Sequence, residues 1–128
     1  MNKIVAVANT MHSRSNKIST VVNHDSYWFF LYDKKFAWCI QSWDHEDKNK
    51  YILYLLTIKG DFYVSEAREF EILSRQDVRS LVKNGVAIEY NSYEIGTDEA
   101  LQAFRMLYTA VKERGIGIDK VFDEILED

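Results

Sequence analysis

The sequence contains no proline and only five glycines, so asparagine, aspartate and serine must shape most of its turns. It has one cysteine, Cys39, which rules out an internal disulfide and a cysteine-rich zinc site. No apolar run approaches the roughly 18–20 residues of a membrane-spanning helix. The opening residues carry a short apolar stretch without the cleavage site of a signal peptide, so a cytoplasmic location is expected. A basic excess is also missing: 16 lysines and arginines face 20 acidic residues, for a net charge of −4. General binding to nucleic acid, which rests on a basic surface, is therefore not expected. Basic side chains are nonetheless interspersed throughout, which argues against a wholesale acidic mimic of DNA. Internal repeats, low-complexity segments and Gly/Ser linkers are absent, so the expectation is a single domain over residues 1–128.

What is present is a globular composition, 47% hydrophobic and 28% charged. Aromatic residues make up 14% and crowd the first half, from Tyr27 to Trp43. The first two thirds read as sheet. Residues 3–8 are short and β-branched, and residues 9–17 form a polar loop. Strands are expected at 18–22, 27–32 and 36–43, with turns at 23–26 and 33–35. In the third of these, Phe36, Trp38 and Ile40 share one face, while Ala37, Cys39 and Gln41 share the other. Residues 44–50 (DHEDKNK) read as a solvated loop. A hairpin across Lys59-Gly60 joins 51–58 to 61–65, followed by a short strand at 70–73.

The last third turns helical. Ser74 opens a capping-box-like start, with Val78, Leu81 and Val82 as the buried stripe and Asn84-Gly85 as the stop. Residues 86–93 return as a strand. Thr97 caps a helix over 98–114 that ends at Gly115. A final helix over 118–126 places Ile118, Val121, Phe122, Ile125 and Leu126 on one stripe. The expected fold class is α+β: one antiparallel sheet of about five to seven strands, with C-terminal helices packed on one side.

Residues 53–82 (LYLLTIKGDFYVSEAREFEILSRQDVRSLV) read as a Y-x-L-Y…K-G…F hairpin before a strand and a Ser-capped helix. This stretch resembles small proteins of bacterial mobile elements and phages. The resemblance covers about a quarter of the chain and carries over no catalytic residue. It implies a prokaryotic accessory protein.

Nothing in the sequence matches a nucleophile elbow, a phosphate loop or a metalloprotease helix. Cys39 lies inside an aromatic strand, where cysteine usually acts as a small buried hydrophobe. His12, His24 and His45 fall in polar segments; a hydrolase using His24 or His45 is the weakest reading. Asp44-His45-Glu46-Asp47 packs potential ligands together, yet adjacent side chains diverge too much to close one coordination sphere. The expectation is a chain that is not an enzyme and needs no cofactor or metal.

Binding surfaces are better represented. Arg75, Arg79 and Lys83 recur at i, i+4 and i+8, a row suited to acidic proteins or phosphates, which arginine grips in bidentate fashion. The helix over 98–114 keeps its polar groups, Arg105 among them, on one narrow stripe. It is therefore expected to be sandwiched by the last helix or by another subunit. Asp123 and Glu124 back the apolar stripe of the last helix near its C-terminus, where the macrodipole disfavours acids; a basic partner would account for them. Strands 27–32 and 51–58 lack clean alternation, so both faces of the sheet must be covered. Tyr32 and Trp43, at strand ends, are candidate interface anchors.

The leading expectation is a non-enzymatic inhibitor or immunity-type protein of bacterial or phage origin that binds and neutralises a protein partner, such as a toxin or defence enzyme. The alternative is an oligomeric phage protein that sequesters a nucleotide second messenger. There Arg14, Arg75, Arg79 or Arg105 would hold phosphate while an aromatic ring stacks on the base.

Overall fold

A computed structural model describes residues 2–45, 48–58 and 60–127, and for residues 44, 45, 48, 49 and 118–120 the backbone only. The chain opens with α1 (Lys3–Ser13) and a 3-10 turn (Ser15–Lys17), then forms β1 (Ile18–His24), β2 (Tyr27–Tyr32), β3 (Phe36–His45) and β4 (Lys48–Leu56). Next come α2 (Ala67–Leu73), α3 (Val78–Lys83), β5 (Ala87–Asn91), α4 (Ser92–Ile95), α5 (Asp98–Ile116) and α6 (Ile118–Glu127). The five strands form one antiparallel sheet in the order β1-β2-β3-β4-β5. This is the expected α+β class.

Alternation in β3 settles which side chains go where. Trp38 and Ile40 join Phe30 and Leu53 under α1 and α5, whereas Cys39 and Ala37 join Phe29, Leu31 and Tyr54 on the opposite face. Both faces are covered, which is why β2 and β4 read as continuous apolar runs. The long C-terminal helix α5 lies on the first face with Ala103, Phe104, Leu107 and Val111 buried. The second face is sealed by the short helices α2 and α3 through Phe70, Leu73, Val78 and Leu81.

Three local expectations are corrected. Residues 3–17 are not a strand and loop but α1 and its 3-10 turn. Asn2 caps α1, its Oδ1 accepting from the Ile4 amide at 3.0 Å, and Ile4, Val5, Ala8 and Met11 form the buried stripe. Residues 70–73 are helical, within α2, because Glu66 and Glu69 close a capping box just upstream. Ser74 ends α2 rather than starting α3: its hydroxyl donates to the Glu71 carbonyl at 2.8 Å. Asp77 caps α3 instead, accepting from the Arg79 amide at 3.3 Å.

Strand bounds also shift. β3 and β4 extend to His45 and from Lys48, pairing Asp44 with Asn49, so the loop expected at 44–50 is mostly strand. Its Glu46 and Asp47 lie outside the described residues. Beyond β4, among the described residues, the pairing shrinks to one bridge, Ile58 with Asp61, in place of a second hairpin strand; Lys59 of the expected turn lies outside them. β5 stops at Asn91, whose side chain caps α4 by accepting from the Tyr93 amide at 2.9 Å. Thr97 caps α5 as expected, with Oγ1 accepting from the Ala100 amide at 3.1 Å. That helix runs through Gly115 and ends at Gly117, whose φ of 76° is the left-handed conformation that glycine adopts without steric cost.

Candidate functional site

Two surfaces stand out: a cavity on the α3 face and the apolar stripe of α6. The cavity is built by strand register. Tyr27 pairs with Gln41, and Gln41 with Ile52; in the next row Cys39 pairs with Tyr54, and Tyr54 with Glu89. These rows lie side by side on one face of the sheet, and α3 lays Val78, Arg79 and Val82 across them. The cavity, open to solvent on one side, has a volume of about 190 Å³.

Its floor is polar although it is buried. Tyr54 donates its hydroxyl hydrogen to Gln41 Oε1 at 3.2 Å, and Gln41 Nε2 donates to Ser26 Oγ at 2.9 Å. One amide hydrogen of Gln41 is not used by these bonds, since a primary amide carries two. Trp43 and Tyr27 are half-buried walls, and the Tyr27 and Tyr54 rings tilt together with centroids 6.2 Å apart. Lys50 Nζ lies 4.4 Å from the centroid of the Trp43 ring, a cation–π contact. Arg79 and Glu89 are exposed at the mouth. Burial holds the Tyr54 hydroxyl well above the ordinary tyrosine range, with Tyr27, Glu89 and Cys39 pushing the same way and Arg79 opposing. Tyr54 therefore keeps its proton at neutral pH. Burial likewise raises the Cys39 thiol, against a smaller effect of a Trp28 backbone hydrogen bond.

The second surface is α6. Every described side chain from 121 to 127 is exposed, including Val121, Phe122, Ile125 and Leu126 at 51%, 57%, 65% and 81%. Asp123 and Glu124 are exposed beside them. Isolated helices shorter than about 12–15 residues are marginal in water, and the described side chains of this 10-residue helix, Val121 to Glu127, offer no buried face to support it.

The structure brings Trp43 and Arg79 into one cavity from segments distant in sequence. It does not assemble the expected basic row, because Arg75 precedes α3 and pairs with Glu71 at 2.7 Å. Tyr32 lies on the other face of the sheet, beside Phe36 and Trp38 along a hollow next to α1. Arg105 borders a separate hollow with His12 and Glu113, close to Ser15, which follows Arg14, the C-cap of α1. The cover of α5 comes mainly from α1, while the described side chains of α6, from Val121 to Glu127, are exposed. Among the described residues, no group of three or more His, Cys, Asp or Glu is placed to share a metal ion, and no helix is long and apolar enough to cross a membrane.

Sequence reasoning missed Gln41, Tyr54 and Glu89. A glutamine on the inward face of an apolar strand was the available signal, since a buried amide needs partners. No protein-family model, curated protein or solved structure matches the chain.

Proposed function

We propose that this chain is a non-enzymatic binding protein, of the bacterial or phage immunity and anti-defence kind, that neutralises a protein partner by inserting α6 into it. The observation that carries this reading is the α6 stripe, which leaves Phe122, Ile125 and Leu126 more than half exposed. Burying one such side chain contributes about 1.5–3 kcal/mol, so a groove that takes several of them also stabilises the helix itself. Asp123, Glu124 and Glu127 on the same helix call for a groove rimmed by lysine or arginine, in keeping with a chain of net charge −4.

The test compares the full chain with Phe122→Asp/Ile125→Asp and with Asp123→Lys/Glu124→Lys. A protein captured from bacterial lysate by the wild type, lost with both variants and bound again as a purified basic protein, supports the reading. Light scattering of the protein alone supplies the opposing outcome. A dimer that the Phe122→Asp/Ile125→Asp change dissolves would assign the stripe to a second copy and overturn it.

A further inference from the structure

We infer that the cavity beneath α3 receives a guanine base, with the attached phosphate held at its mouth by Arg79. The inference is independent of α6.

Size comes first. Ligand pockets for drug-sized molecules usually span about 300–1,000 Å³, so a cavity of about 190 Å³ admits a single ring system and leaves sugar and phosphate outside. The walls suit a flat aromatic guest, because Trp43 and Tyr27 offer ring surface on which a base can stack.

Polar groups then select among bases. Glu89 presents two acceptor oxygens, which match adjacent N–H donors of one base edge. Guanine has such an edge in its ring N–H and exocyclic amine; adenine would place a ring nitrogen lone pair against the carboxylate. The amide hydrogen that Gln41 keeps free of Ser26 can meet the guanine carbonyl oxygen.

Charge argues against a cationic occupant such as an arginine side chain of a partner. Glu89 alone would welcome it, but Arg79 shares the mouth and Lys50 stands over Trp43. A neutral donor edge with an anionic tail satisfies Glu89 and Arg79 together. Trp43 and Arg79 thus act as one site, whereas Arg75, committed to Glu71, lies outside it.

Calorimetric titration of the full chain with guanosine 5′-monophosphate, adenosine 5′-monophosphate, guanosine and inorganic phosphate tests this. Guanosine monophosphate is expected to bind and to raise the melting temperature, and adenosine monophosphate to bind at least about tenfold more weakly. Glu89→Gln should weaken guanosine monophosphate by about tenfold or more, and Arg79→Ala should reduce it to the affinity of guanosine. Both residues are exposed, so unchanged melting of the unliganded variants verifies that they fold. Phe122→Asp/Ile125→Asp should bind the nucleotide as the wild type does. Absence of guanosine monophosphate binding at millimolar concentration, equal binding of both nucleotides, or affinity unmoved by Glu89→Gln overturns the inference.

Discussion

Gly115 lies against Trp28. A Cβ added to it would stand 2.8 Å from Cζ3 of that ring and 2.7 Å from Cγ1 of Val21. The contact fixes how closely α5 approaches the β1–β2 edge. Beside it, Arg114 donates from Nε and Nη2 to the Ile18 carbonyl at 3.2 and 3.1 Å, tying the end of the helix to the start of the sheet.

Gly115→Ala is accordingly expected to destabilise the protein. Alanine gains up to about 1 kcal/mol of helix propensity over glycine, but overpacking costs about 1–3 kcal/mol against two stiff neighbours. A net loss near ~1 kcal/mol would lower the urea midpoint at unchanged slope. A rise in the midpoint would show that Trp28 and Val21 yield.

The Gln41–Tyr54 bond predicts non-additivity. Either Gln41→Leu or Tyr54→Phe alone leaves one buried polar group without its partner, costing about 1–3 kcal/mol. The double variant should cost less than the sum, and a double-mutant cycle in urea measures the coupling. Additive losses would mean that the bond contributes nothing.

Alkaline stability follows from the two raised groups. The unfolded thiol and phenol ionise near their ordinary values, about 8.5 and 10, while the folded protein holds both protons to higher pH. Their contribution is complete below about pH 8 and is lost as pH rises, because the native state then binds more protons than the unfolded one. Urea midpoints taken between about pH 8 and 11 should fall, and Cys39→Ala with Tyr54→Phe should flatten that slope. An unchanged slope would place the loss elsewhere.

Thr20 sits at φ 54° within a register shift of β1, on an exposed edge. For a β-branched residue the left-handed region is strained. Thr20→Gly should therefore stabilise the protein by up to about 1 kcal/mol, since no packing is lost. A lower melting temperature would show that the threonine side chain contributes there after all.

Hydrogen exchange should separate α6 from the core. Amides of α6 are expected to exchange far faster than those of β3 or α5, and to slow on partner binding. Protection in the free monomer equal to that of α5 would contradict an unsupported helix.

Much of the fold was legible. The alternation of Phe36–Trp38–Ile40 against Ala37–Cys39–Gln41, the Thr97 cap and the α6 helix are local patterns, and each is found, with the α6 stripe described from Val121 onward and the side chain of Ile118 outside the described ones. The α1 segment reads as a strand because Ile4, Val5 and Val7 favour strands, whereas the Asn2 cap and the Ile4–Ala8–Met11 spacing specify the helix that forms. With residues 3–8 taken as strand, the apolar sides of α5 have only α6 or another subunit to cover them, and α1 takes that place in the fold.

The chain by itself determined which residues are apolar, where helices can be capped and that β2 and β4 need two covered faces, because those properties depend on near neighbours. Only the tertiary structure decided that Trp43, Arg79, Gln41, Tyr54 and Glu89 meet in one cavity. That meeting depends on strand register and on where α3 crosses the sheet. A one-residue slip in register would turn every one of the strand side chains to the opposite face, which is why no local pattern could announce it.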